Sequence, residues 1–493
     1  SIFMEVTTNP PCNTALLDVY IPSGENPWTS QKIKHLYRRL AYGVNLAGID
    51  AGLPLTPSAL IDTIVDTAVS LDPTPAPPWG YFGISDFSDF DTDNPNYINQ
   101  WYLQTANDTV EGSLRARLTL FWMNHFVTEL DGYGSYAPYM FQYYNLMQTH
   151  ALGNFKEFVR AVGINSTMLI YLNGFENTSN NPNENYAREL FELFTLGENN
   201  NYTQQDILQA SRALTGYNHW DEPGAQINFD QSTWDEGPKT VFGSEEFYTY
   251  DELIDTLFEL RETEIAQFIC TKLYKYFVSH EYDAITQEDI INPLAQTLID
   301  ANFEMAPMLR QLFKSQHFFD DRALGVVIKS PYDVVFNYIN EGNFFYNDTV
   351  LEYFVYYTGI IGQEIYSPPD VSGWQRDQNW INTATLLARW QIIELFNGYL
   401  FDLELQSQFI DLARELSSDS NDPYVITKAV VDFFNSKELF TQSDYQVATS
   451  VLKWEVPQNY YDDGIWNLDY ESAPYQVYLL LNHLTKLPEF QLK

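Results

Sequence analysis

Apolar residues recur along most of this chain at the spacing of one helix face. The first clear run begins after Thr29, where Ile33, Leu36, Tyr37 and Leu40 follow one another at intervals of one to three residues. This spacing predicts an amphipathic helix, because residues three and four apart lie on the same side of a helix. The same pattern predicts helices over 57–71, 113–129, 138–172, 251–281, 286–316, 322–340, 348–361 and from 382 to the C-terminus.

Three stretches interrupt this pattern. Residues 72–100 are rich in Pro and Asp, and residues 362–381 contain a Pro-Pro pair and a Gly-Trp pair, so both are predicted to be loops. Gly and Pro punctuate short apolar pieces over 220–250, which favours a hairpin or an irregular loop. We therefore predict a predominantly α fold: a large multi-helix domain with long irregular loops and at most a small β-hairpin.

The change of pattern along the chain also indicates its organisation. Residues 1–27 have little periodicity and several Pro and Asn residues, which predicts an extended N-terminal arm. A helical domain is predicted over 28–400. Residues 401–493 are predicted to form a C-terminal helical segment that packs on the same domain.

The most informative segment lies between Pro182 and Gly216. Glu184, Arg188 and Glu192 are spaced four residues apart, which places a carboxylate, a guanidinium and a second carboxylate along one ridge of a helix. The opposite ridge carries apolar residues that require a core, namely Tyr186, Leu190, Phe191 and Phe194. Such a row is either a buried structural clamp or the wall of a polar site, and the sequence leaves both readings open.

Few other residues carry recognisable chemistry. The chain has seven His, no H-E-x-x-H or C-x-x-C motif, no G-x-S-x-G elbow and no glycine-rich phosphate loop after a strand. His125 lies in an apolar helix and is either a core imidazole or a general base or metal ligand. The candidate catalytic set is therefore His125, Glu184, Arg188, Glu189 and Lys239, with Lys239 as a loop cation able to contact an anion.

An acidic run in the first predicted loop resembles the start of a calcium loop. Asp89, Asp91 and Asp93 alternate, and carboxylate oxygens are the ligands that calcium prefers. However, the sixth position has no Gly, and Gln100 stands at the twelfth position where an EF-hand has Glu. We keep these three residues as a candidate calcium site beside the simpler reading of a solvated turn.

The charge of the chain limits its partners. The 493 residues include 66 acidic and 26 basic ones, which gives a net charge of −40. Such a surface repels nucleic acid and anionic lipid headgroups. The chain contains no run of 18 apolar residues, so no transmembrane helix is predicted. Its two cysteines, Cys12 and Cys270, permit one disulfide at most. Together these features favour an extracellular or cell-surface location.

Short glycosylation-like sequences agree with export. The chain has five N-x-Ser/Thr sequences, and five Asp-Thr pairs resemble the O-glycosylation signal of secreted proteins in the Bacteroidota. Both patterns are short, so they support the location without establishing it.

Several segments resemble one bacterial family in order along the chain. They are H-L-Y-R-R-L-A-Y-G from His35, L-T-L-F-W-M-N-H-F from Leu118, H-A-L-G-N-F from His150, N-E-N-Y-A-R-E-L-F-E-L-F-T-L-G from Asn183, D-E-G-P-K-T-V-F-G from Asp235, C-T-K-L-Y-K-Y-F-V from Cys270, I-K-S-P from Ile328, P-P-D-V-S-G-W from Pro368 and W-I-N-T-A-T-L-L-A-R from Trp380. Together they resemble the domain-of-unknown-function family number 1800. The resemblance implies a bacterial, commonly exported protein whose relatives often occur beside a sulfatase-like partner family.

This chain departs from the family pattern at two histidine positions. Met123 and Trp234 stand where the family pattern has His. Met and Trp are poor ligands for a hard metal ion, so the departures weaken a catalytic reading. The polar residues that survive are His125, His150, Glu184, Arg188, Glu189, Asp235 and Lys239.

Two functions follow as hypotheses. The first is a secreted or cell-surface acidic helical protein with a structural, assembly or binding role, whose partner is a surface protein, a second copy of the chain or a glycan. The second is an extracellular hydrolase acting on a polysaccharide or related polymer. In that case Glu184, Glu189 or Glu192 is the acid or base, while Arg188 or Lys239 holds an anionic group.

Overall fold

The computed structural model describes residues 12–374 and 376–493. In this part of the chain the secondary structure is helical apart from one two-stranded sheet, which confirms the predicted predominantly α fold. The helices up to residue 213 are α1 Ser30–Leu40, α2 Leu46–Gly52, α3 Pro57–Ser70, α4 Phe90–Val110, α5 Leu114–Met123, α6 Ala137–His150, α7 Phe155–Ile164, α8 Ser166–Tyr171, α9 Asn185–Glu189 and α10 Gln204–Ala213.

The later helices continue this arrangement to the end of the chain. They are α11 Tyr250–Leu260, α12 Glu262–Phe277, α13 Ala284–Thr286, α14 Asn292–Asp300, α15 Met305–Phe313, α16 Gln316–Phe319, α17 Pro331–Gly342, α18 Asp348–Ile361, α19 Thr383–Asp402, α20 Ser407–Leu416, α21 Pro423–Phe434, α22 Gln442–Lys453, α23 Gln458–Asp462 and α24 Ala473–Leu484. Two π-helical turns, Leu190–Thr195 and Gln287–Ile291, extend α9 and join α13 to α14.

The small sheet lies where the hairpin alternative was predicted. Strands β1 (Lys239–Val241) and β2 (Ser244–Glu246) pair antiparallel, with Lys239 opposite Glu246. Phe242 and Gly243 connect the strands, and both have a positive φ. A tight hairpin requires this left-handed backbone, which Gly adopts without strain.

Local capping chemistry explains where several helices begin. The hydroxyl of Thr29 accepts the backbone N–H of Lys32 at the start of α1, and Thr203 forms a reciprocal capping box with Asp206 at the start of α10. These bonds satisfy N–H groups that have no partner within the helix. The predicted helix over 348–361 is confirmed as α18.

Several predicted elements are wrong in their bounds. The helix predicted over 113–129 ends at Met123, and the helix predicted over 322–340 begins only at Pro331, where Ser330 caps it. The loop predicted over 72–100 ends early, because α4 begins at Phe90 and includes Pro95. Asp91 and Asp93 lie in its first turn, where carboxylates stabilise the positive end of the helix dipole. The single helix predicted over 138–172 is three helices, because Asn154 and Asn165 cap new starts with their side chains.

One connected hydrophobic core extends from Tyr20 near the start of the described chain to Phe490 near its end. Residues 12–27 contain no helix, and Tyr20 donates a backbone hydrogen bond of 2.8 Å to Lys314. The first eleven residues of the predicted arm lie outside the described residues. At the other end, the backbone of Lys329 donates to Gln491 at 2.8 Å. The boundaries proposed at residues 28 and 400 stay predictions.

Every described helix is too short or too polar to cross a membrane. The two cysteines are both free: Cys12 is exposed and Cys270 is buried. The disulfide that the sequence allowed is therefore not formed in this structure.

Candidate functional site

A cavity of about 570 Å³ lies among α5, α12, the π-helical turn after α9, the start of α17 and the loop that precedes α19. Its lining combines six aromatic side chains with basic and acidic groups. The aromatic residues are Tyr42, Phe121, Phe268, Tyr276, Trp374 and Trp380. A concave, mostly apolar cavity with a few convergent polar groups is the usual form of a ligand site.

Helix α12 supplies one wall of the cavity because one face of the helix packs into the core and another face is turned to the cavity. Ile265, Ile269 and Leu273 belong to the buried core. The residues of α12 that line the cavity, Phe268, Thr271, Lys272, Lys275 and Tyr276, recur at intervals of one to three. They therefore share a helix face, which brings two lysines side by side into the cavity.

His125 follows α5 and is almost fully buried at the cavity wall. Its Nε2 lies 2.9 Å from the carbonyl oxygen of Phe194, and its Nδ1 lies 2.8 Å from Nζ of Lys272. A carbonyl can only accept, so Nε2 carries the proton and Nδ1 accepts a hydrogen bond from Lys272. Burial, and then the neighbouring Lys272, holds the pKa of His125 well below its usual range, which keeps the ring neutral.

Lys272 is the least compensated cation of the cavity. Burial lowers the pKa of its amine well below the ordinary range, and the charges of Arg376 and Lys275 lower it further. Its Nζ also lies 5.4 Å from the centre of the Phe268 ring. Within the described chain it forms no ion pair with a carboxylate. Its surroundings therefore favour the free amine over the ammonium ion.

Lys275 and Arg376 complete this side of the cavity, and we call Lys272, Lys275 and Arg376 the basic wall. Arg376 donates weakly to the carbonyl oxygens of Ser372 at 3.2 Å and Asn124 at 3.4 Å. Neither Lys275 nor Arg376 has a carboxylate within ion-pair distance among the residues that the structure describes. Three cations that converge without counterions create a positive region in an otherwise acidic molecule.

A second group of charges at the cavity is fully paired, and we call Arg117, Asp333 and Lys493 the ion cluster. Asp333 forms ion pairs with Arg117 at 2.7 Å and with Lys493 at 2.8 Å, and all three side chains are buried. Burial alone would raise the pKa of Asp333, but the two cations outweigh it and hold that pKa below its usual range. The guanidinium of Arg117 also stacks 3.8 Å from the centre of the Tyr42 ring.

Trp374 fixes the loop that closes the cavity. The loop's Gly373 has a φ of +99°, and a Cβ there would meet the side chain of Asn124. Asn124 accepts the backbone N–H of Trp374 at 2.7 Å, and the indole N–H donates to Glu364 at 2.9 Å. The sequence predicted that Trp374 packs inward, and the buried indole confirms this while also lining the cavity.

Acidic groups at the cavity are Glu192, Glu198, Asp333 and Asp377. Asp333 belongs to the ion cluster, and Glu192 is paired with Arg188 at 3.1 Å. Glu198 is exposed and Asp377 is half-buried. The negative charge that faces the basic wall is thus either neutralised or open to solvent.

The predicted row Glu184–Arg188–Glu192 is formed as the spacing indicated. Arg188 lies 2.6 Å from Glu184 and 3.1 Å from Glu192, while Gln204 accepts a further bond at 2.8 Å. Each of the three charged side chains is about one-quarter to one-third exposed. The row is therefore neither a sealed internal brace nor an open groove, and Glu192 is its one member that lines the cavity.

The remaining candidates lie outside the cavity lining. Burial raises the pKa of Glu189, and the nearby Glu192 raises it further. Lys239 belongs to β1 rather than to the predicted loop. Its fully buried ammonium donates to the carbonyl oxygens of Asp235 at 2.5 Å and Gly237 at 3.0 Å and lies 4.5 Å from the Trp234 ring. Lys239 therefore holds the hairpin in place.

Two further polar residues named from the sequence, Asp235 and His150, form contacts away from the cavity lining. Asp235 forms a two-bond pair with Arg212, at 2.7 and 3.1 Å. His150 stacks on Phe158 with ring centres 5.1 Å apart, and burial lowers its pKa. Met123, at the first departure from the family pattern, is buried in the core.

The three aspartates proposed for calcium lie at the start of α4. The backbone N–H of Asp89 donates to Asp93, and the Thr92 hydroxyl donates to Asp89. In the part of the chain that the structure describes, no group of three or more His, Cys, Asp or Glu side chains is arranged to hold a metal ion. The calcium site gains no support and stays a prediction.

Sequence reasoning missed the basic wall. Lys272 and Lys275 lie in the segment C-T-K-L-Y-K-Y-F-V, which supports the family resemblance, but neither is among the candidate site residues predicted from the sequence. The available signal was two lysines on one helix face in a chain of net charge −40. Arg376, which follows the Gly-Trp pair of a loop, could only be placed beside them by the tertiary fold.

Fold and site define a helical protein with a partly basic, mostly apolar cavity. The chain belongs to the family described as Protein of unknown function (DUF1800), whose model matches residues 35–492. The comparisons with curated proteins and with solved structures give no match. The family resemblance seen in the sequence is confirmed.

Proposed function

We propose that this protein is a binding protein that takes up an organic anion in the cavity. The observation that carries the proposal is the basic wall: Lys272, Lys275 and Arg376 converge on one cavity, and none has a carboxylate partner in the described structure. Lys272 and Lys275 are half-buried, and Arg376 lies beside them at the exposed end of the wall. Half-buried cations without counterions are costly unless a ligand supplies the charge.

The lining also suggests the shape of the ligand. An anionic head, such as a carboxylate, sulfate or phosphate, fits the basic wall through charge-assisted hydrogen bonds. An apolar or ring-bearing body fits the aromatic side chains, among them Trp374 and Trp380. The cavity volume of about 570 Å³ lies within the range of small-molecule sites.

A pair of probes tests the anionic head separately from the body. The first probe is 8-anilinonaphthalene-1-sulfonate, and the second is N-phenyl-1-naphthylamine, which lacks the sulfonate. We expect saturable binding of the sulfonate, weakened by added salt, and markedly weaker binding of the neutral analogue. Fluorescence titration measures both affinities, since each probe brightens in an apolar site.

Matched variants locate the binding site. Lys275→Gln removes one charge of the basic wall and is expected to weaken sulfonate binding roughly tenfold, the effect of losing one charge-assisted hydrogen bond. Lys437→Gln removes one exposed lysine outside the cavity lining and serves as the control. Equal affinity for the two probes, or equal losses in the two variants, would refute the proposal.

The hydrolase alternative has less support from the geometry. Of its proposed residues, Glu192 and His125 line the cavity, while Glu184, Arg188, Glu189 and Lys239 do not. His125 is neutral and held by two hydrogen bonds, which suits a positioning role more than proton transfer. Release of reducing ends from an acidic polysaccharide by the wild-type protein, abolished in Glu192→Gln, would favour the hydrolase.

We also propose an extracellular or cell-surface location, supported by the net charge of −40. The partner there is the ligand itself, a surface protein or a second copy of the chain. Fractionation of the native host, with immunodetection of the protein, tests the location. Recovery in the cytoplasmic fraction alone would refute it.

A further inference from the structure

Lys272 differs from the other two cations of the basic wall. Its Nζ is held at a fixed place, because Nδ1 of His125 accepts a hydrogen bond from it at 2.8 Å. His125 is held in turn by the carbonyl of Phe194. The amine therefore lies at the surface of a cavity with a defined position, which a flexible surface lysine lacks.

The groups around Lys272 disfavour its charged form. Lys275 follows it on α12, and Arg376 faces it from the loop before α19. The other titratable groups of the cavity are Tyr276 on α12 itself and, on neighbouring elements, Tyr42, His125, Glu192, Glu198, His280, Asp333, Asp377 and Lys493. None of these carboxylates lies within ion-pair distance of Lys272 in the described chain. A lysine that is desolvated and set beside other cations is the arrangement that activates amines as nucleophiles.

We infer that Lys272 is a reactive amine that forms an imine with the carbonyl carbon of an anionic aldehyde or keto acid bound in the cavity. The inference rests on the proposed function for the anionic part of the ligand, which Lys275 and Arg376 would hold. The carbonyl would then lie next to Lys272, with the anionic head beyond it on the same wall.

The reaction is balanced without any further reagent. The lone pair of the Lys272 amine attacks the carbonyl carbon and forms a C–N bond, while the C=O π electrons move to oxygen, which takes a proton. The resulting carbinolamine loses its hydroxyl group and the remaining N–H proton as one molecule of water. An imine and water are the products, and the step reverses when water returns.

His125 positions the amine in this scheme. Because its Nε2 proton is engaged by the Phe194 carbonyl, Nδ1 offers only a lone pair, and it holds Lys272 through one of its N–H bonds. The nitrogen lone pair remains available to face the cavity. The imidazole does not need to change its charge during the addition.

Reductive trapping of the wild-type protein tests the inference. The protein is incubated with glyoxylate, the smallest anionic aldehyde, and sodium cyanoborohydride, and the modified lysines are located by peptide mass spectrometry. We expect carboxymethylation of Lys272 well before the exposed Lys437, and a rate that stays high at a pH where other lysines are protonated. Modification of lysines in order of exposure, with no preference for Lys272, would overturn the inference.

A neutral probe separates this inference from the proposed function. Glycolaldehyde carries the same reactive group without the carboxylate. Preference for Lys272 with glyoxylate alone supports both claims, whereas equal preference with both probes supports the reactive amine and argues against anion binding. Normal sulfonate binding without preferential labelling keeps the proposed function and overturns the imine.

Variants provide the last control. Lys272→Gln should lose the rapid labelling, while its circular dichroism spectrum and urea unfolding show that the variant is folded. Lys275→Gln should slow labelling by glyoxylate more than labelling by glycolaldehyde, because it removes a contact to the carboxylate. Persistence of the rapid adduct on another lysine in Lys272→Gln would assign the reactivity elsewhere.

Discussion

The ion cluster and the basic wall lie side by side, since Asp333 and Lys493 line the same cavity as the basic wall, but the two groups differ in how their positive charges are satisfied. In the ion cluster, Asp333 lies within 2.8 Å of both Arg117 and Lys493. In the basic wall, the neutral His125 is the one hydrogen-bond partner of Lys272 among the residues that the structure describes. The cations of the ion cluster have a carboxylate partner within the protein and can stabilise the fold. The cations of the basic wall would gain a negative partner only from a bound ligand.

The comparison also separates two uses of buried charge in an acidic protein. With 66 acidic residues in the chain, carboxylates are available to neutralise every cation, and the ion cluster shows one in place. The absence of such partners from the basic wall, within the described residues, therefore does not follow from a shortage of acidic residues in the chain.

The largest effect is expected from breaking the ion cluster. Asp333→Asn leaves Arg117 and Lys493 buried without a counterion, which should lower the free energy of unfolding by about 3 to 5 kcal/mol. Urea unfolding at pH 7 measures the loss. Asp66→Asn, which removes an exposed partner of Arg310, is the control and should cost about 1 kcal/mol or less. A loss as small as that of the control would show that the cluster does not stabilise the fold.

A smaller effect, of opposite sign, is expected at the basic wall. Lys272→Met removes an uncompensated amine and should raise the free energy of unfolding at pH 6 by about 0.5 to 2 kcal/mol, as is common when function constrains stability. In wild type the pKa of Lys272 is lowered on folding. At Lys272 the unfolded chain therefore binds more protons, and the contribution of this residue to stability rises with pH until about pH 10.4.

The gain from Lys272→Met should therefore shrink as the pH rises from 6 toward 10. Urea unfolding across this range checks the slope, and Lys437→Met at an exposed lysine should show no such trend. A destabilisation at pH 6 would mean that Lys272 is satisfied in the folded protein, and the contrast with the ion cluster would disappear.

The smallest effect is expected at the row Glu184–Arg188–Glu192. Arg188→Gln breaks two ion pairs that are partly exposed, so it should cost about 1 kcal/mol or less and matter less at high salt. Thermal unfolding at low and high ionic strength measures this. If Arg188→Gln lowered the free energy of unfolding as much as Asp333→Asn does, the row would be a structural clamp rather than a set of weak surface ion pairs.

Much of the fold could be predicted because it depends on local patterns. Apolar spacing located α1 and α18. The prediction failed at α4, because Pro and Asp suggest a loop by composition although they also fit the first turns of a helix.

The candidate site was less accessible to sequence reasoning. Periodicity correctly aligned Glu184, Arg188 and Glu192, since these contacts lie within one helix. The pairing of His125 with Lys272 joins residues 147 positions apart, and no local pattern reports such a contact. The surroundings of Lys239 were inaccessible for the same reason, because its partners are backbone carbonyls of a hairpin that only the folded chain defines.

The hydrogen bond from His125 to the Phe194 carbonyl links the cavity to the family's hallmark segment through a main-chain atom. Phe194 lies in the π-helical turn, where Leu196 donates to Phe191 five residues earlier rather than four. Any residue at position 194 presents the same oxygen, so exchanging its side chain for another apolar one leaves the imidazole anchored. Inserting or deleting one residue between 190 and 195 rotates that oxygen away. The number of residues in the segment 190–195, more than the identity of its side chains, therefore determines where His125 holds the amine of Lys272.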